Sequence, residues 1–398
     1  MLNTSLASWP SYTDEEINAV AEVVRSNRVN YWTGQQCREF EREFASWTGS
    51  QKAIAVSNGT LALDLALQGL RVGAAYGGSP MDEVIVTPRT FIASISCVVS
   101  AGAIPVFADV DKDSGLITTE TIAAVLTDNT KAIIPVHLAG WPCDMAPILR
   151  LAADRNLKVI EDCAQAHGAL YRGRSVGSIG DVGAWSFCQD KIMTTGGEGG
   201  MITCDDEALW SRMWSFKDHG KSWDAVYSRE HAPGFRWLHE SFGTNWRMLE
   251  MQAAIGRIQL RRMEAWTVRR TEIAMRITSA LQEFTAGLSV PLPAPEHQHA
   301  FYRLYAYVRD AGLNKDWTRD RIVAECTASG APVFQGSCSE VYLEKAFERM
   351  TWRPKDRLPV ARQLGETSLM FLTHPTITDH ELERYVGAIR SVFERAVR

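Results

Sequence analysis

Short apolar runs with strand character alternate with segments of helical period from about Tyr12 to Leu260, and this alternation limits the possible folds more than any other feature of the chain. The runs fall at residues 53–56, 83–86, 105–108, 132–136, 158–160, 182–187 and 200–203, with helical stretches such as 61–70 and 146–156 between them. Neighbouring parallel strands need crossovers of that kind, so the pattern predicts an α/β domain built on a largely parallel sheet. From Leu249 to about Phe284 the sequence has no proline and a single glycine, Gly256, and reads as one long helix. The stretch Pro291-Leu292-Pro293-Ala294-Pro295 then breaks the pattern. The expected division is a large domain over residues 1–285, including an N-terminal segment, and a smaller α+β domain over 286–398. The smaller domain should hold a strand at 302–308 and helices around 318–329, 341–350 and 379–397.

A chain of 398 residues that is 45% hydrophobic can bury two cores. Its 42 basic and 47 acidic residues leave a net charge of −5 with no dense Lys/Arg run, which argues against nucleic acid or a membrane surface as a partner. The start, Met1-Leu2-Asn3-Thr4-Ser5, lacks the basic and apolar stretches of a signal peptide, and the longest apolar runs are too short to span a bilayer, so a cytoplasmic location is expected. None of the eight cysteines forms a Cys-x-x-Cys pair, so no metal site is signalled, and buried reduced thiols are the expectation.

Four segments carry chemistry. Ser57-Asn58-Gly59-Thr60 lies between a strand and a helix; it reads either as an ordinary capped turn or as an anion site built from free helix N–H groups and the Thr60 hydroxyl. In the second, from Val159 to Gly168, an apolar strand runs into Glu161, Asp162 and Gln165. A carboxylate at the carboxyl end of a parallel strand can hold a pyridine nitrogen protonated, and Asp162 is placed for that role; the other reading is that it caps the next helix. In the third, Ser186 and then Lys191 lead into the glycine-rich loop Thr194-Thr195-Gly196-Gly197-Glu198-Gly199-Gly200. A lysine in a partly desolvated site is expected to have the depressed pKa that Schiff-base chemistry uses. The fourth, Gly243-Thr244-Asn245-Trp246-Arg247, precedes the long helix and reads as a capping loop or as a second phosphate or substrate contact.

These residues resemble the DegT/DnrJ/EryC1/StrS sugar aminotransferases, of the fold-type-I, aspartate-aminotransferase-like superfamily of pyridoxal-phosphate (PLP) enzymes, over nearly the whole chain, with perosamine synthases among the closer-looking members. The matching stretches are 56–67, 87–109, 137–145, 160–168, 186–201 and 245–260, with Leu372-Thr373-His374-Pro375 near the C-terminus. The resemblance implies Lys191 as the Schiff-base lysine, Asp162 at the pyridinium nitrogen, Gln165 near the ring oxygen and Phe91 stacked on the ring. It also implies Gly59, Thr60 and Ser186 at the phosphate, with Asn245 reaching the phosphate of a neighbouring subunit in a homodimer whose active sites lie at the interface. Trp32-Thr33-Gly34 matches a stretch close to the substrate in the family. The glycine loop is one glycine longer than the frequent form, and Gln335-Gly336-Ser337-Cys338 replaces a common Tyr-x-Pro-x-His pattern.

The implied reaction moves an amino group from L-glutamate to a keto sugar, foremost a nucleotide-linked 4-keto-6-deoxy or 3-keto hexose of the kind used for O-antigens. The alternatives within PLP chemistry are another ketose, a keto-cyclitol, or a sugar dehydration; the dehydrating branch replaces the lysine by histidine, whereas Lys191 is retained. A phosphate-binding loop ending in Gly220-Lys221-Ser222 is the rival from another class, but Ser215 stands where its first glycine belongs.

Overall fold

The computed structural model describes residues 5–232 and 237–398; residues 1–4, part of the expectation about the chain start, lie outside them. Two helices precede the first strand. In α1 (Asp14–Arg25) the Glu16 carboxylate accepts from the Thr13 backbone N–H at 3.0 Å, and α2 (Gln36–Thr48) stops at Gly49, whose φ of 77° needs no side chain in the way. Seven strands then build one sheet: β1 (Lys52–Val56), β2 (Glu83–Val86), β3 (Ile104–Phe107), β4 (Thr130–Ile134), β5 (Lys158–Asp162), β6 (Val182–Ser186) and β7 (Gly200–Cys204). All seven lie close to the expected bounds. Their order is β1-β7-β6-β5-β4-β2-β3, and every neighbouring pair is parallel except those made by β7, which runs antiparallel to both β1 and β6. The reason is the connection: β6 returns to β7 through the loop at 187–199 instead of a crossover helix.

The main helices of this part of the chain are α3 (Gly59–Leu70), α4 (Ala93–Ser100), α5 (Met145–Asp154), α6 (Glu207–Lys217) and α7 (Glu250–Leu281), with shorter ones at Thr119–Ala123 and Trp223–Tyr227. α3 begins two residues before the expected position because its cap is Asn58, whose Oδ1 accepts from Leu61 N at 2.9 Å. Aromatic rings fill the space between α2 and β6, with Phe44 edge-on to Trp185 at 5.2 Å and Phe40 5.4 Å from Phe187.

A second, antiparallel sheet follows from β8 (Leu288–Ser289), β9 (Arg303–Val308), β10 (Val333–Phe334) and β11 (Ser368–Leu372) in the order β8-β9-β11-β10, with α8 (Arg319–Ala328), α9 (Pro359–Thr367) and α10 (Asp379–Ala396). The long helix serves two hydrophobic cores: Leu260 and Met263 lie in the first, Ile273, Ile277 and Leu281 in the second. The expected helix at 341–350 is absent. Two short 3₁₀ turns, Val341–Leu343 and Lys345–Phe347, stand there, separated by Glu344 in extended conformation. Packing overrides propensity at this point, because Tyr342 and Phe347 both anchor on Phe107, with ring centroids 5.5 and 6.2 Å away. Among the described residues no helix is long and apolar enough to cross a membrane.

One buried group gives this fold a pH signature. Asp64, in α3, has an Oδ1 without a hydrogen-bond partner, and burial beside Tyr76 and Cys97 pushes its carboxyl up to about 6 from the usual 3.8. The folded chain therefore holds this proton more tightly than the unfolded chain, and the stability it contributes is full below about pH 4 and lost as pH rises through 6. Asp64→Asn should raise the urea midpoint at pH 8 and change it little at pH 4, which denaturation curves at the two pH values would check.

Candidate active site

The carboxyl ends of the parallel strands, the start of α3 and the inner strands of the second sheet line a cavity of about 800 Å³. Gly59, Thr60, Phe91, Asp162, Gln165, Ser186 and Lys191 all line it, so the fold gathers seven of the eight expected site residues around one cavity. Asn245 is the exception. It lines a neighbouring hollow with Ser57, Arg247 and Gln252, which shares Asn58 and Glu198 with the main cavity.

Side chains alternate along β5, and the alternation decides which of two adjacent acids faces the cavity. Asp162 does, with its Oδ2 accepting from Ser94 Oγ at 2.7 Å and its Oδ1 from Ala164 N at 3.1 Å. Burial holds its carboxyl above the ordinary value against the pull of those two donors. Glu161 points the other way, into the core, where it accepts from Ile179 N at 2.8 Å, Gly180 N at 2.7 Å and His137 Nε2 at 3.0 Å. His137, Glu161 and Cys163 have the chemistry of a metal triad and lie within 4.8 Å of one another, yet both Glu161 oxygens are occupied and His137 Nδ1 accepts from Cys143 N.

Lys191 sits in the loop between β6 and β7, which doubles back because Gly196 and Gly197 take φ of 84° and 126°. The amine lies 3.4 Å from Asp190 Oδ1 and 5.4 Å from the Tyr302 ring centroid, and Tyr302 O–H donates to Asp190 Oδ2 at 2.5 Å. Its pKa runs opposite to the sequence expectation: burial draws it down, but Tyr302, Asp190 and Cys188 more than offset burial and leave the amine above its usual 10.5. The Lys191 backbone is pinned as well, its carbonyl accepting from the Trp9 indole N–H at 2.8 Å.

The opposite corner is built for an anion. Asn58 occupies the third N–H of α3, which leaves the first two, of Gly59 and Thr60, without an intrahelical acceptor. The Ser186 hydroxyl lies beside them, and a Cβ on Gly59 would stand 2.5 Å from Ser186 Cβ. Between the corners, Gln165 Oε1 accepts from Ala139 N at 2.8 Å, which leaves the amide NH₂ to donate, and Phe91 is 69% exposed over the cavity. A phosphorylated pyridine with a ring hydroxyl and an aldehyde fits this donor set: N–H groups and a hydroxyl for the phosphate, a carboxylate for the ring nitrogen, an amide for the ring oxygen and an amine for the aldehyde.

Sequence reasoning missed Ser94, Asp190, Tyr302 and Arg303. Ser94 carries a local signal, since it lies in the first turn of the helix after β2; Tyr302 and Arg303 come from the second sheet and carry none. Trp32 is not among the lining residues and stacks instead on Tyr227 at 6.3 Å, with Lys221 Nζ 3.8 Å from its ring centroid. The cysteine expectation holds for Cys37, Cys97, Cys143, Cys163, Cys204 and Cys326, whereas Cys188 is half-buried, Cys338 is exposed and both line the cavity.

The sequence profile of the DegT/DnrJ/EryC1/StrS aminotransferase family matches residues 10–390. The crystal structure of an aminotransferase from Psychrobacter cryohalolentis superposes with a TM-score of 0.95 at 62% identity, covering 98% of this chain and 99% of that one. The GDP-perosamine synthase of Caulobacter vibrioides is 36% identical over 357 residues, 89% of each chain. The UDP-N-acetyl-3-dehydro-alpha-D-glucosamine 3-aminotransferase of Acidithiobacillus ferrooxidans is 34% identical over 387 residues, 96% of this chain and 95% of the relative.

The contact at Gly59 sets a test of the anion corner. Gly59→Ala forces the start of α3 away from Ser186, and the loss of one or two hydrogen bonds should weaken pyridoxal 5'-phosphate binding about tenfold or more. Titration of the cofactor into the two apoproteins measures it.

Proposed function

The chain belongs to the DegT/DnrJ/EryC1/StrS aminotransferase family, and from that premise we propose that it transfers an amino group from L-glutamate to a nucleotide-linked keto sugar, using pyridoxal 5'-phosphate. One observation carries the reading: a part-buried amine, Lys191, and a buried carboxylate, Asp162, share a cavity with an anion site of Gly59, Thr60 and Ser186. When bound, pyridoxal phosphate supplies an electron sink for breaking bonds at the carbon that bears the amino group.

The protein's own part is to bind, orient and move protons. Lys191 would hold the cofactor through its Nζ and, once the amino donor takes its place there, the same Nζ would take the proton from the substrate carbon and hand it on. Asp190 and Tyr302 keep that amine against the cavity wall, 3.4 Å and 5.4 Å from it. Asp162 would keep the cofactor's ring nitrogen protonated, Gln165 would donate to its ring oxygen, and Phe91 would cover one face of the ring.

The acceptor is a 4-keto-6-deoxy or 3-keto hexose on a nucleotide. The two kinds of relative support this breadth, one being named for perosamine and the other for a 3-keto glucosamine. The chain works as a homodimer, with Asn245 serving the phosphate of the neighbouring subunit. In support, Asn245 lies outside its own cavity in an adjoining surface hollow, beside Leu249, which is half exposed.

Lys191→Ala should fold with a denaturation midpoint near that of the wild type and lose the visible absorbance of the bound cofactor. Its turnover with L-glutamate should fall by about 10⁴-fold or more. A variant that transaminated as fast as the wild type would end the assignment. Wild-type protein in its amino form, mixed in turn with GDP-, UDP- and dTDP-linked 4-keto and 3-keto sugars and with a keto-inositol, should regain that absorbance with one of the nucleotide sugars.

A further inference from the structure

Lys191 stands in a stretch without helix or strand, between β6 and β7, so point contacts decide where its backbone lies. Its N–H closes a turn on the Cys188 carbonyl at 3.0 Å, and its own carbonyl accepts from the Trp9 indole N–H at 2.8 Å. Trp9 is not among the residues that line the cavity. It reaches the lysine from outside the site, from 182 positions earlier in the chain.

Trp9 is held by the part of the molecule built on the second sheet. Its ring stacks on His374, just beyond β11, with centroids 6.4 Å apart and planes at 16°, and meets Trp266 of α7 edge-on at 5.1 Å. The buried guanidinium of Arg270 lies over the same ring, with Cζ 5.1 Å from its centroid. The residues before Trp9 are tied to the same side. Ser5 Oγ donates to the Gly330 carbonyl at 2.6 Å, Leu6 packs against the second core, and Ala7 N donates to Glu381 Oε1 at 2.7 Å. Thr376 Oγ1 donates to the Ser8 carbonyl at 3.1 Å. A hydroxyl has one proton to give, so Thr376 accepts from His374 Nδ1, 2.8 Å away, and this fixes the imidazole on which Trp9 stacks. The side chain of Lys191 meets the same sheet from inside the cavity, where Nζ lies 5.4 Å from the Tyr302 ring centroid. The lysine is therefore referred to the second sheet at both ends, by its carbonyl through Trp9 and by its amine through Tyr302.

We propose that Trp9 is a positioning residue for Lys191, and that residues 5–9 are a strap through which the second sheet sets where the reacting amine stands. The inference rests on the reading of Lys191 as the cofactor lysine, and it adds a residue outside the cavity that governs the rate of proton movement without touching the substrate.

The test sets the wild type beside Trp9→Phe, which keeps an aromatic ring on His374 and removes the indole N–H, Thr376→Val, which loosens the strap far from the lysine, and the double variant. Visible circular dichroism of the cofactor-loaded enzyme and the single-turnover rate with L-glutamate are measured. In the apoprotein, labelling of Lys191 by trinitrobenzenesulfonate is followed by mass spectrometry, with the exposed Lys158 as reference. Trp9→Phe should weaken the dichroism and slow the turnover about tenfold, while the half-saturating glutamate concentration changes by less than about twofold. Labelling of Lys191 should rise about threefold or more against Lys158, because an amine released from Asp190 and Tyr302 is held less firmly as a cation. Thr376→Val should move all three readings the same way by smaller factors, and the double variant should be no worse than Trp9→Phe, since both changes cut one strap. Should Trp9→Phe not fold, Thr376→Val carries the test alone. Wild-type readings in the variants overturn the inference, even with a lowered denaturation midpoint, which would give Trp9 a part in the fold only. Additive effects in the double variant overturn it too. If the wild type bound no cofactor at Lys191, the proposed function would fall, and the labelling of the apoproteins would still decide whether the strap sets the amine.

Discussion

Two missing side chains, at Gly59 and Gly200, let the start of α3 lie directly on the turn from β6 to β7, and the cavity depends on that approach. A Cβ on Gly200 would stand 2.4 Å from the Asn58 carbonyl, and one on Gly59 would stand 2.5 Å from Ser186 Cβ. Ser186 and Gly200 are themselves partners across the β6–β7 pair. The same hairpin therefore brings the Ser186 hydroxyl to the free N–H groups of α3 and throws Lys191 out over the cavity. Had β7 been reached by a crossover helix, as the parallel strands are, neither residue would be placed by the other.

The charges in the cavity belong together in the same way. Asp162 is buried with two hydrogen-bond donors and no cation in direct contact, and Arg303 is buried with no acid in direct contact. Each alone would be an expensive residue, and replacing either with an apolar side chain of similar volume would be the cheaper way to make a stable core. Both line the cavity, in which Lys191 and Asp190 already satisfy each other at 3.4 Å. The raised pKa of Lys191 belongs to this balance, because Tyr302 and Asp190 stabilise a charge that burial disfavours.

The main sheet and most of the site were legible in the sequence because both are local in it. Strand periodicity located β1 to β7, and the choice of Asp162 over Glu161 follows from alternation along β5 once one end of the strand is taken to face a ligand. Two further features were not legible, and each has a physical reason. The stretch at 341–350 has helical composition, yet two aromatic anchors on Phe107 hold it in 3₁₀ turns, a contact between residues more than two hundred positions apart. The direction of the Lys191 pKa depends on Tyr302, which arrives from the second sheet. Arg303 was invisible for the same reason, since nothing in Phe301-Tyr302-Arg303-Leu304-Tyr305 says that the strand will face a lysine 112 residues earlier.

What holds those distant residues in register is a single helix. Gln259 on α7 accepts from Thr194 N at 2.9 Å, in the loop that carries Lys191, and Arg270 on the same helix reaches the Phe301 carbonyl at 3.5 Å, next to Tyr302 and Arg303. Eleven residues of helix separate the two contacts, about 16 Å of rigid rod at the standard rise. The rod is anchored in both cores, by Leu260 and Met263 on one side and Ile273 and Ile277 on the other. A helix confined to one core would let the second sheet swing and carry Arg303 and Tyr302 away from the amine. Because α7 is shared, a change in the distance between Lys191 and Arg303 must bend the helix or break one of its two polar contacts. The spacing between the reacting amine and the guanidinium is thereby set by a length of backbone.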